Sequence, residues 1–283
     1  RMAEELAEGK EALAEGNCDL IVSALDVKVQ HPAGVAVIPN GHRDIVMCDY
    51  SNKRVLIISD DGHTSRQLPG TFAGPSGVTV LKNGNFLIAD YSRNVMEICA
   101  PDDGKVITQF TGLHHPCGVA ELPTGEFAVA EYNGRIMAFS VDTTSRILLE
   151  DKSSNFYGLH VYREEFLIAC QLDCLVFLEF DGSLKRKITP LMPSALPGIH
   201  GAATLNDGNL IICDTANGRL FVVTLDGVVV REIGRSGSVK PEEFNRPLAV
   251  AAAEDMVVVS DNGNHLVKIV LGLNDSSLTK RAL

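Results

Sequence analysis

Short apolar runs, each long enough for one strand, recur along this chain with polar turns between them. Between His31 and Ile58 the order is a Pro-x-Gly entry (Pro32, Gly34), an apolar run at 35–37, and a turn at Asn40-Gly41. A second run at 45–48 ends in Asp49, and a polar turn over 51–54 leads into a third run at 55–58. The runs are rich in β-branched residues and bounded by Gly, Pro, Asn and Asp, which predicts an antiparallel meander.

The same pattern returns five times, over 74–98, 115–139, a weaker 156–180, 199–223, and from Pro247 through Val259-Ser260-Asp261 to Ile269. Glycines align at Gly34, Gly77, Gly118, Gly158 and Gly201, with Ala249 in the sixth slot. A polar residue closes each second run: Asp49, Asp90, Glu131, Gln171, Asp214 and Asp261. The period, roughly 40 to 48 residues, suits propeller blades rather than helical solenoids. A fourth run follows in the first five copies, at 66–68, 106–110, 146–149, 184–188 and 228–233. The sixth copy turns polar after Leu271 without one, and an unassigned run at 20–25 precedes the first copy. An N-terminal strand completing the last blade closes the ring and leaves no raw edge. The expected fold is therefore all-β: a six-bladed propeller over 17–283, closed by an N-terminal strand.

Strand alternation puts the Pro-x-Gly entries and the turns after the marker acids on one rim. The Asn-Gly and Asp-Gly turns, at Gly41, Gly62, Gly84, Gly182, Gly208 and Gly227, fall on the other rim as plain hairpins. An acid that recurs at one slot of nearly every repeat reads as structural, accepting hydrogen bonds from the turn it precedes. Catalytic residues break such symmetry.

The signature resembles the NHL repeat family. It is matched at Pro32-Ala33-Gly34-Val35-Ala36 with Asp49, Asn52 and Arg54, and at 75–78 with Asp90, Arg93 and Asn94. It is matched again at 116–120 with Arg135, in the fifth copy at Asp214, Asn217 and Arg219, and in the sixth at Asp261 and Asn264. The fourth copy departs, with Gln171-Leu172-Asp173-Cys174 replacing acid and turn. The resemblance implies a six-bladed ring of the kind that ends tripartite-motif ubiquitin ligases after a coiled coil, binding protein partners or RNA. Other members are lactonase-like or amidating-lyase enzymes.

Residues 1–16 are dense in Ala, Glu and Leu and predict a leader helix, readable as the end of a coiled coil cut from a longer parent. Any oligomerisation is expected through such a coiled coil. No apolar run reaches the length of a membrane span and no charged-then-apolar leader opens the chain, so no membrane partner is expected. Seven cysteines show no pairing rhythm; Cys48, Cys170 and Cys213 share a small-residue slot with Ala89, Ala130 and Ser260. They read as reduced core thiols of an intracellular, cytoplasmic protein. The net charge of −11 disfavours RNA, whose binding rests on phosphate neutralisation. The one dense basic cluster, Lys185-Arg186-Lys187, falls on an outer strand and reads as a solvated edge.

His31 and His115 hold the slot before the Pro and His200 lies near it. First strands line the channel, but these slots are two blades apart and carry no metal-ligand spacing, so no metal or other cofactor is expected. No nucleophile elbow, P-loop or dinucleotide fingerprint is present, and no catalytic residue is assigned. Directly after the marker acid stand Tyr50, Tyr91 and Tyr132, in turns that also carry Lys53, Arg54, Arg93 and Arg135. These form the candidate partner-binding arc, since Tyr and Arg are enriched at binding hot spots. The competing reading has each Tyr ring wedged between blades. The favoured function is a protein-interaction module, with substrate recognition for a ubiquitin ligase implied by the resemblance. Single-stranded RNA binding and a channel-centred hydrolase or lyase are the alternatives.

Overall fold

A computed structural model describes residues 21–190 and 198–273. The repeats fold into six four-stranded antiparallel sheets, each a blade. In blade one the strands run outward from the axis in sequence order: Pro32–Val37, Ile45–Asp49, Arg54–Ile58 and Ser65–Leu68. Each innermost strand touches those of the two neighbouring blades, and contact between Pro247–Ala253 and Pro32–Val37 completes the circle. Blade six takes its outermost strand, Ile21–Ala24, from the N-terminal side. That strand pairs antiparallel with Leu266–Leu271 in the register Val22 to Val270 and Ser23 to Ile269. The closure read from the missing fourth run is thus observed. The helix expected over 1–16 lies outside the described residues. Among the described residues the one helical turn is the 3-10 segment Asn262–Asn264, and no helix is long and apolar enough to cross a membrane.

The second strand of every blade is buried at every position, for example Ile45–Asp49 and Phe86–Asp90. A strand buried on both faces needs apolar residues without alternation, because each face meets a different neighbour. Ile45 and Met47 pack against Val258 and Ile269 of blade six, whereas Val46 and Cys48 pack against Val78 and Ile88 of blade two. The apolar core is accordingly distributed over the interfaces between blades. Each fully buried Val, Leu or Ile there contributes on the order of 1.5–3 kcal/mol. Cys48, Cys170 and Cys213 are fully buried beside the axis and their thiols are free, as the shared small-residue slot implied. Burial pushes the Cys170 thiol up to about 12.

The aligned glycines let the inner strands converge. A Cβ on Gly77 would stand 2.0 Å from the Cys117 carbonyl oxygen, and one on Gly118 2.4 Å from that of Tyr157. At or beside this slot, held by Ala249 in blade six, the register slips in blades one, two, three, five and six. A bulge of this kind re-aims its side chains, here toward the mouth of the channel.

The marker acids fasten the chain where it enters each blade. Asp49 accepts from the Gln30 backbone N–H (2.7 Å), Asn52 Nδ2 (2.9 Å) and Arg54 Nε (2.8 Å). Glu131 accepts from the His114 N–H, Asp214 from Gly198, and Asp261 from Asn245 (2.7 Å). Their structural reading holds. In blade four Gln171 replaces the acid and reaches Asp151 at 3.4 Å, while the Cys174 thiol donates to its Oε1.

Candidate functional site

The entry rim surrounds a cup of about 570 Å³ centred on the channel. Its floor is apolar: Val35, Val78, Val119, Leu159, Ala202 and Val250, one from each inner strand. Above the floor, the residue before each of the five aligned glycines faces the cup, Ala33, Ser76, Cys117, Tyr157 and His200, as does Leu248 before Ala249 in the sixth slot. Higher still stand His31, Tyr50, Ser51, Tyr91, Arg246 and Asn262.

The three tyrosines singled out from the sequence do come together. Tyr91 lies edge-on between Tyr50 (6.4 Å between ring centroids) and Tyr132 (6.2 Å). The arc continues through Tyr157, 5.9 Å from Tyr132 and 4.0 Å from His200. Each ring leans over the entry of the next blade: Tyr91 stacks on His115 at 4.4 Å, and Tyr50 crowds Gly74. Tyr132 is 42% exposed, and Tyr50, Tyr91 and Tyr157 are half-buried, so the rings are wedged and yet accessible. Burial first, then the neighbouring Cys117 and tyrosines, raise the Tyr91 hydroxyl above its ordinary range. It is therefore a neutral donor at physiological pH.

The arginines of the same turns point elsewhere. Arg54 spans Asp49 and the Lys28 carbonyl (2.7 Å), and Arg135 pairs with Glu131 at 2.6 Å. Arg93 forms a bidentate pair with Glu97 at 2.9 and 3.0 Å, reinforced by Gln109. None of the three lines the cup; Arg54 instead borders a second depression with Lys28, Gln67 and His265. Lys53 sits exposed in a left-handed turn position (φ 54°). The outer cluster is also paired: Lys185 with Glu179, Arg186 with Asp226 and Lys187 with Asp151.

The histidines are dispersed round the mouth. His31 bonds to Ser51 Oγ (2.8 Å) and packs edge-on against His265, His115 covers Tyr91, and His200 lies against Tyr157. Among the described residues no three His, Cys, Asp or Glu side chains converge as a metal site. The His200 Nδ1 faces the Gly198 carbonyl at 3.1 Å, which fixes the proton on Nδ1 and leaves Nε2 as an acceptor. Burial, with Arg246 adding to it, lowers the His200 pKa, so the ring is neutral near pH 7.

Tyr157 and Arg246 were not singled out from the sequence. Arg246 occupies the slot before the Pro that His31 and His115 hold, and shares their left-handed backbone, φ 53° against 52° and 50°. A scan of that slot alone finds it. Tyr157 is found by reading the slot before the aligned glycine.

The fold and this axial cup define a six-bladed β-propeller with an open cavity at one end of its channel. No family model and no curated protein matches the chain. It is similar in structure to a gluconolactonase from Xanthomonas campestris, with a TM-score of 0.72 at 15% identity, covering 89% of this chain and 90% of that one. It is similar also to a catalytically inactive His-to-Ala variant of virginiamycin B lyase from Staphylococcus aureus with quinupristin. There the TM-score is 0.64 at 17% identity, covering 91% and 90%. An auxiliary nutrient binding protein from Bacteroides thetaiotaomicron gives 0.68 at 11%, covering 86% and 69%. These likenesses establish the propeller fold. They do not support the ubiquitin-ligase setting implied by the repeat motif.

Proposed function

We propose that the ring is an interaction module whose cup receives a segment of a protein partner. The observation that carries this reading is the arc of four accessible tyrosines, three of which line the cup above its apolar floor. Rigid rings with a polar tip give large contact area at small entropic cost, as binding hot spots require. The tyrosines of the expected arc serve here, while Arg54, Arg93 and Arg135 hold the rim in shape. The test is selection of peptides on the intact ring from a displayed library, with affinity then measured by calorimetry. Replacing Tyr91 and Tyr132 by Ala is expected to weaken selected peptides by tenfold or more without lowering the melting temperature appreciably. Peptides that bind both proteins equally would place the site elsewhere.

A second reading, a lyase or hydrolase, is favoured by one observation. His200 lines the cup as a neutral ring oriented through its Nδ1, the form a general base requires, and two of the structural neighbours are a lyase and a lactonase. Turnover of lactones or quinupristin that disappears in His200→Ala would establish it; no turnover by the wild-type ring removes it. RNA binding has less support, since the basic side chains named from the sequence are largely engaged in ion pairs.

A further inference from the structure

We infer that the cup selects an acidic peptide segment, one that sets an apolar or aromatic side chain on the floor and a neighbouring carboxylate against Arg246. The inference rests on the peptide-binding reading above and adds the chemistry of the partner.

Three observations converge on it. First, the cup is two-sided. Tyr50, Tyr91 and Tyr157 line it from blades one, two and four, with Tyr132 beside them in the ring of aromatic contacts, while His200, Arg246 and Asn262 line it from blades five and six. Second, the chain carries 36 acidic residues and a net charge of −11, yet among the described residues no Asp or Glu lines the cup. The marker acids lie fully buried behind the turns, where Asp49, Asp90, Glu131, Asp214 and Asp261 are already spent on backbone and side-chain donors. Third, Arg246 differs from the other guanidinium groups of this rim. Arg54, Arg93, Arg135 and Arg219 each pair with an acid, whereas exposed Arg246 makes no hydrogen bond or ion pair among the described residues. It is held in place all the same: the Asn245 N–H is fastened to Asp261, and Arg246 itself adopts a left-handed backbone. Such a conformation costs on the order of 1–2 kcal/mol in a non-glycine residue and persists where the surroundings impose it.

A guanidinium without an internal partner, carried on a fastened backbone at the edge of an apolar cup, matches a carboxylate beside an apolar anchor. Arg engages a carboxylate through two parallel hydrogen bonds, a charge-assisted pair stronger than neutral ones. A single carboxylate meets this local cation, while a nucleic-acid strand brings a charge with every nucleotide to a ring that is acidic overall.

The experiment uses three fluorescein-labelled peptides on the intact chain: Gly-Ser-Phe-Glu-Gly-Ser, and the same sequence with Gln or Lys in place of Glu. Anisotropy is read at low and moderate salt, beside a labelled oligouridine. The Glu peptide is expected to bind about tenfold more tightly than the Gln peptide, with the Lys peptide weakest. Arg246→Gln removes that preference, whereas Tyr91→Ala weakens the Glu and Gln peptides alike. Equal binding of Glu and Gln peptides, with both still sensitive to Tyr91→Ala, overturns the acidic preference and leaves the peptide cup standing. Binding indifferent to Tyr91→Ala, or none by any peptide at about 1 mM, overturns both. Oligouridine that binds more tightly than every peptide, with steep salt dependence, overturns the choice of a protein partner.

Discussion

Replacing Gly77 by Ala tests whether close approach of the inner strands sets the width of the channel. The added Cβ would lie 2.0 Å from the Cys117 carbonyl oxygen, while such contacts are essentially never shorter than 3.0 Å. The inner strand of blade three must therefore retreat by about 1 Å, against a core that resists such shifts. The same change at Gly34 places the Cβ 2.8 Å from its nearest neighbours and asks for a few tenths of an ångström. Ala restricts the unfolded chain and so offsets about 0.4–1 kcal/mol of either penalty. Net losses of roughly 3 kcal/mol for Gly77→Ala and at most about 1 kcal/mol for Gly34→Ala are expected. Gly118→Ala, Gly158→Ala and Gly201→Ala rank between them, in the order of their contacts at 2.4, 2.5 and 2.7 Å. Equilibrium denaturation in guanidinium chloride reads the series directly, and a thermal melt should drop by about 6–12 °C for Gly77→Ala. A Gly77→Ala ring as stable as Gly34→Ala would refute the packing argument.

Deleting residues 21–26 exposes the edge of Leu266–Leu271, and the protein should elute as oligomers or unfold; a monomer with an unchanged melting temperature contradicts the closure. Asp49→Ala leaves the Gln30 N–H, Asn52 and Arg54 without their shared acceptor and should cost about 2–4 kcal/mol; a loss below about 1 kcal/mol would argue against the fastening role. His160, whose Nε2 meets Thr204 Oγ1 at 2.5 Å, has its pKa lowered by burial to about 4 from 6.5. The unfolded chain takes up that proton first, so the stability is fully present above pH 6.5 and declines as the pH falls toward 4. Denaturant midpoints of His160→Gln should fall less between pH 7 and 5 than those of the wild type; parallel curves would remove His160 from the account.

The ring was legible because a propeller writes its geometry once per blade. Gly34 and its counterparts recur in five blades since their inner strands face the same crowding, and Asp49 and its counterparts recur in five since their entry turns need the same acceptor. The site is legible only where it departs from that repetition. Tyr50, Tyr91 and Tyr132 did so, and the structure brings their rings together. Arg54 and Arg135 stood in the same turns, but spacing cannot show that their guanidinium groups bend back to the buried acid rather than toward the cup. Arg93 turns to Glu97, a pairing particular to blade two. Lys268, fully buried against Asp261 and over the Phe244 ring, is likewise particular to blade six. Such one-off pairs have no periodicity to betray them. Tyr157 and His200 belong to the row before the aligned glycines. In blade five a bulge beside Gly201 aims His200 inward, and a bulge does not show in apolar spacing. Tyr157 stands in blade four, whose two inner strands pair without a slip.

The strand that completes blade six also dictates an order of events during folding. Its partners, Ile21 with Leu271 and Ala24 with Lys268, lie roughly 250 residues apart, so the loop they close is nearly as long as the ring itself. Blades one to five pair only local segments and can form as each leaves the ribosome. The segment at 21–24 must wait unpaired until the last blade has been synthesised. Ring closure is therefore the late, high-contact-order step, and the slowest refolding phase should respond to changes at 21–24 more than to changes within any earlier blade.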